Sequence, residues 1–108
     1  MAGFEKCLYI FSQEEWINLS NKLNQLSITK VNNRKFIRAF NSGAYETELD
    51  AKGRICINKV LFDYAGLDKE CVIIGVGNRI EIWDTKEYEK YLNENSDVMI
   101  TISEELDI

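Results

Sequence analysis

Residues 43 to 83, GAYETELDAKGRICINKVLFDYAGLDKECVIIGVGNRIEIW, constrain the fold more than any other part of the chain. An alternating stretch runs into the acidic turn Asp50-Ala51-Lys52-Gly53-Arg54, and a second short alternating stretch leaves it. A helix of little more than one turn is then stopped by Gly66, and a hairpin closes around Gly75, Gly77 and Asn78. Strand, turn, strand, helix and hairpin in that order describe a compact unit that presents a turn. Such a unit points to recognition rather than catalysis.

The turn carries its own chemistry. Asp50 can accept hydrogen bonds from backbone donors two residues on, and Gly53 can take the positive φ that completes the reversal. Glu46, Glu48 and Asp50 alternate with Tyr45, Thr47 and Leu49, so the incoming strand has one acidic face and one face able to pack. An aspartate four residues before an arginine across a tight turn can orient the guanidinium for a bidentate contact with phosphate or a guanine edge. The same spacing also describes a solvated surface ion pair worth little.

With 108 residues, 45% of them hydrophobic and 11% aromatic, the chain has material for one domain with a folded core. No apolar run is long enough to span a membrane, and Met1-Ala2-Gly3-Phe4-Glu5-Lys6 lacks a signal-peptide pattern, which predicts a soluble intracellular protein without membrane partners. Cys7, Cys56 and Cys71 lie far apart in apolar strand patterns with no CxxC, so all three are expected to be buried small hydrophobes rather than a metal or redox site. The chain has no histidine, the commonest general base. Glu14 and Glu15 are helix neighbours that point apart, Ser42 and the cysteines have no base, and the GVGN loop opens a hairpin instead of cradling a phosphate. No enzyme activity, cofactor, metal or small-molecule substrate is expected.

Net charge is −5, but it is unevenly spread. Residues 30 to 59 hold seven basic side chains (Lys30, Arg34, Lys35, Arg38, Lys52, Arg54, Lys59) against three acidic ones, a surplus of +4. The remainder holds six basic against fifteen acidic, −9. A basic middle between acidic flanks suits a localised phosphate-binding surface, and equally a solvated helix face.

Cys7 to Phe11 reads as a strand, and Ser12 with Glu15 forms a capping box for a helix to about Leu26, with Trp16, Leu19, Leu23 and Leu26 at helical spacing and Trp16 as a core anchor. A second helix is expected from about Val31 to Asn41, with Phe36, Ile37 and Phe40 inward, Arg34, Lys35 and Arg38 outward, and Gly43 as its stop. Asp84 with Glu87 caps a helix to about Leu92. In the acidic tail from Asn93, the run Val98-Met99-Ile100-Thr101-Ile102 suggests a further strand. The chain also repeats itself: a shift of 72 residues lays Gly3 to Trp16 over Gly75 to Tyr88, with Gly3, Ile10 and Glu15 meeting Gly75, Ile82 and Glu87 identically and cap Ser12 meeting cap Asp84. The repeat is cut, because the counterpart of Gly43 to Ile74 falls about thirty residues before Met1.

The stretch from Cys7 to Leu92, above all FIRAFNSGAYETELDAKGR, YAGL and VIIGVGNRIEIW, resembles the MraZ family of bacterial transcription factors within the SpoVT/AbrB-like superfamily. The resemblance implies an α+β fold, an AbrB-like swapped-hairpin barrel of duplicated halves, here with the first half incomplete. It divides the chain into 1–27, the end of a first repeat with its strand and helix; 28–93, a complete second repeat with its preceding helix; and 94–108, an acidic tail. It implies a sequence-specific DNA-binding regulator of the division and cell-wall gene cluster, assembled as a ring on repeated double-stranded DNA sites, cytoplasmic and nucleoid-associated. Arg54 would contact base or phosphate, Asp50 and Gly53 would shape the turn, Lys52 would add charge, and Arg34, Lys35 and Arg38 would form a second DNA-facing or subunit-packing surface. The family's usual proline after the second strand and arginine in the following helix are replaced by Asn58, a possible cap, and Phe62, which cannot hold phosphate. An alternative reading is a truncated interaction module that joins family rings without binding DNA strongly.

Overall fold

In a computed structural model that describes all 108 residues, the chain is α+β. Its elements are β1 (Leu8–Ile10), α1 (Gln13–Asn24), α2 (Val31–Asn41), α3 (Lys59–Tyr64), β2 (Cys71–Val76), β3 (Arg79–Asp84), α4 (Thr85–Glu94) and α5 (Ser96–Glu105). The three strands form one antiparallel sheet in the order β1-β3-β2. No helix is long and apolar enough to cross a membrane.

The helix starts follow from side-chain chemistry. The Ser12 hydroxyl and the Asp84 carboxylate accept the backbone N–H of Glu15 and Glu87, each at 3.2 Å, and Asn58 accepts that of Leu61 at 2.9 Å. Each satisfies a donor that the first helical turn leaves orphaned. Gly66 follows α3 with φ +63°, a left-handed stop that side chains disfavour. Between β2 and β3 the reversal runs through Gly77, at φ +61°, and Asn78.

The sheet sorts its side chains by alternation. On one face Leu8 and Ile82 join Leu61, Ala65 and Leu67, with Ile10, Ile55 and Ile57 packed alongside. On the other, Cys7, Tyr9 and Trp83 are buried with Phe11, Val72, Ile74, Tyr88 and Tyr91 around them. Buried Glu81 is fully engaged on this second face: Arg79 donates to one carboxylate oxygen from Nε (3.0 Å) and lies within 2.9 Å through Nη2, while Trp83 Nε1 donates to the other at 3.0 Å. The Arg79 guanidinium also lies 4.5 Å from the centre of the Tyr9 ring. Aromatic contacts of Phe40 with Trp16 (centroids 5.7 Å, 6° between planes) and with Phe36 and Phe4 tie α2 to α1 and to the N-terminal segment.

The repeat has a geometric counterpart. The 72-residue shift superposes Leu8, Tyr9 and Ile10 on Ile80, Glu81 and Ile82, and the sheet pairs Leu8 with Ile82, Tyr9 with Glu81 and Ile10 with Ile80. Equivalent residues thus exchange across a local two-fold at the Tyr9–Glu81 pair. Helices α1 and α4 begin at Gln13 and Thr85, again 72 apart.

Several expectations need correction. Residues 44 to 49 and 54 to 58 form no strand, because the sheet offers them no neighbour to complete a ladder. The tail run Val98 to Ile102 is helical within α5. Its β-branched residues favour strands, but Val98, Ile102 and Leu106 also recur at helical spacing and no strand edge receives them. Only Cys7 is buried; Cys56 and Cys71 are exposed, since each alternates out of phase with inward-facing neighbours, Ile55 and Ile57 in one case and Val72 and Ile74 in the other. Leu26 lies beyond the end of α1 and is exposed, and Phe36 keeps much of its ring in solvent.

Candidate nucleic-acid interface

The Asp50–Arg54 turn is built by its own sequence. Asp50 Oδ1 accepts the backbone N–H of Lys52 and of Arg54, both at 2.9 Å, and Oδ2 accepts Arg54 Nε at 3.0 Å. The backbone closes underneath: Asp50 N–H donates to Arg54 O at 2.8 Å and Gly53 N–H to Asp50 O at 3.0 Å, with Gly53 at φ +76°. Three donors converging on one carboxylate favour its charged form, so the two backbone N–H groups, chiefly that of Arg54, and then the guanidinium hold Asp50 below the ordinary carboxylate range.

The contact through Nε has a directional consequence. It fixes the plane of the Arg54 guanidinium while both Nη groups make no bond within the chain. That outer edge is the half of the fork that matches a phosphate or the O6 and N7 acceptors of guanine. The Arg54 side chain is 70% exposed and nothing lies within 4 Å of where a Gly53 Cβ would be, so the tip is open to a large ligand. Lys52 is exposed beside it.

The base of the hairpin is held to the body. Tyr45 donates its hydroxyl to Cys56 O at 2.7 Å and accepts the Asn58 N–H at 3.1 Å, joining the two arms where the second passes into α3. Ile55 and Ile57 pack against the Leu8–Leu61–Ile82 cluster. The clamp was not foreseen from sequence, where Tyr45 counted only as part of the strand's packing face. Its signal was a lone tyrosine opposite the start of a capped helix.

Arg34, Lys35 and Arg38 lie elsewhere, on the outward side of α2. Arg34 Nη1 donates to Ile28 O at 2.7 Å, while Lys35 and Arg38 are exposed and without ion partners. No hydrogen bond or ion pair links them to the Arg54 tip. A groove of about 850 Å³ runs between the hairpin and the sheet, lined by Leu8, Ile10, Tyr45, Ile55, Ile57 and Ile82 among others. No group of three or more His, Cys, Asp or Glu side chains is gathered as a metal site.

An arginine fork held out on a braced turn, beside a small sheet with an open groove, characterises a small module of mixed α and β structure. Residues 40–107 match the family model described as "MraZ protein, putative antitoxin-like". The chain is 50% identical over 102 residues to the transcriptional regulator MraZ of Alkaliphilus oremlandii (strain OhILAs), a match covering 94% of this chain and 69% of that relative. The chain belongs to the MraZ family.

Proposed function

We propose that the chain is a DNA-binding transcriptional regulator that reads DNA with the Arg54 turn, acting on the promoter of the division and cell-wall gene cluster from the cytoplasm and nucleoid. The observation that carries this is the guanidinium held through Nε by Asp50 with both Nη groups outward at an exposed tip. Arg54 makes the base or phosphate contact, Asp50 and Gly53 shape the turn, and Lys52 adds charge next to it. Arg34, Lys35 and Arg38 form a second basic surface. The name borne by the relative from Alkaliphilus oremlandii supports a regulator.

The same reading extends to architecture. Residues 1–27 are the end of one AbrB-like repeat, 28–93 a full second repeat and 94–108 a tail. The two-fold register of β1 on β3 supports the duplication. Two arms without a sheet neighbour, together with a groove that ends on Ile55, Ile57 and Ile82, suit a barrel completed by a second hairpin of the same kind, and such uncovered edges also suit self-assembly with further copies. The net charge of −5 favours one competing reading, a module that joins family assemblies and binds DNA weakly.

Arg54→Ala separates the two. The regulator reading expects a loss of about 1–3 kcal/mol per site in DNA affinity, amplified where several turns bind together, with the thermal unfolding midpoint unchanged because the side chain lies on the surface. Equal affinity of variant and parent for promoter DNA at the same salt refutes Arg54 as the reader.

A further inference from the structure

Two helices carry opposite charge and exposed apolar side chains, and neither charge is balanced by an ion pair within the chain. Residues 30 to 41 contain four cations, Lys30, Arg34, Lys35 and Arg38, and no acidic side chain. Residues 96 to 108 contain four acidic side chains, Asp97, Glu104, Glu105 and Asp107, and no cation. None of these eight groups takes part in any ion pair of the structure. On α5 no residue is buried, and Val98, Met99 and Ile102, with Leu106 just past its end, are between 42% and 62% exposed.

The arrangement along each helix is matched. On α2, Val31, Lys35 and Arg38 follow one another at i, i+4 and i+7, with Arg34 beside them, so a half-exposed valine sits within the basic face. On α5, Val98, Ile102 and Glu105 have the same spacing, with Asp97 and Glu104 flanking the apolar strip. The inward side of α2 is already occupied by Phe40 against Trp16, and α5 packs on α4. Their outward faces are therefore free for another molecule.

We propose that α5 of one copy docks on the basic face of α2 of a second copy, the apolar strip of α5 meeting Val31 and the acidic groups facing the cations. This deepens the self-assembly in the proposed function and rests on it for the existence of more than one contact between copies. The joined surfaces differ, so the contact closes either in a pair that exchanges it twice or in a ring. It assigns Arg34, Lys35 and Arg38 to subunit packing and leaves DNA to the Arg54 tip.

Charge exchange tests the assignment by sedimentation without DNA. Variant one carries Lys35→Glu and Arg38→Glu; variant two carries Glu104→Lys and Glu105→Lys, at sites exposed enough that far-UV circular dichroism should match the parent. Each alone should sediment as a smaller species, with association at least about tenfold weaker than the parent's, since attraction at two surface pairs becomes repulsion. An equimolar mixture should regain the parent's mass, because both reversed faces then meet complements. Raised salt should loosen the parent in the same direction. Parent-like sedimentation of variant two alone, a mixture that stays dissociated, or a parent that is monomeric at micromolar concentration overturns the proposal. So does a variant one that loses DNA affinity while sedimenting as the parent, which gives the α2 face to DNA. Arg54→Ala should leave sedimentation unchanged, so failure of the DNA reading and failure of this contact are told apart.

Discussion

At the scale of single residues, Asp50 is the organiser of the candidate site and Arg54 its exposed end. Because hydrogen bonds depress the Asp50 pKa in the folded chain, the order it imposes is fully present above the unfolded carboxylate range and is lost as pH falls through the lower folded value. Amide resonances of Lys52 and Arg54 followed by NMR should therefore stay fixed through neutral and mildly acidic pH and shift only below the range of an ordinary aspartate. Movement near pH 6 would show that the carboxylate does not hold the turn. Cys7 alone of the three thiols is buried, and burial and then the nearby Glu81 and Glu5 push it up to about 12. At pH 8, alkylation should reach Cys56 and Cys71 in the native protein and Cys7 only after unfolding, as mass spectrometry would show.

At the scale of elements, the N-terminal segment acts as a partial fourth strand. Met1 and Tyr9 exchange backbone hydrogen bonds, each 2.8 Å, and Gly3 N–H donates to Cys7 O at 2.8 Å. This lays residues 1 to 3 along the free edge of β1, and Tyr64 of α3 reaches across to donate to Gly3 O at 2.7 Å. A Cβ on Gly3 would stand 2.8 Å from both Cys7 Sγ and the Tyr9 ring. Gly3→Ala should thus destabilise by about 1–3 kcal/mol through overpacking, read as a lower denaturant midpoint with an unchanged slope. Gly53→Ala meets no neighbour but must adopt a positive φ, so its cost should appear in the order of the turn rather than in packing.

At the scale of the whole molecule, charge decides how DNA is held. A surplus of +4 confined to residues 30 to 59 within a chain of −5 leaves few cations for phosphates, so a single copy should release few counterions and hold nonspecific DNA poorly. Useful affinity should come from several Arg54 turns meeting several sites, where effective concentration replaces bulk charge. On the proposed reading, titration of duplexes with one, two and three copies of a candidate site at fixed salt should give affinity rising steeply with copy number. The same affinity for all three would remove the multivalent reading.

What was legible beforehand was what neighbouring residues decide among themselves. Ser12, Asn58 and Asp84 capped their helices, Gly66 stopped α3, and the Asp50–Arg54 turn closed as its spacing implied with Gly53 at positive φ, because each of these features is set within a few residues. The 72-residue shift gave no hint that β1 would pair with β3 about Tyr9 and Glu81. Tertiary structure alone decided the rest. Alternation in residues 44 to 58 and in Val98 to Ile102 signals a strand only if a ladder partner exists, and partners are chosen by contacts far away in sequence. Which of three similar cysteines is buried, that Tyr45 clamps the hairpin, and that Glu81 is held by Arg79 and Trp83 depend on which faces are covered. Local bonds are written in local sequence, whereas burial is a property of the surfaces that meet.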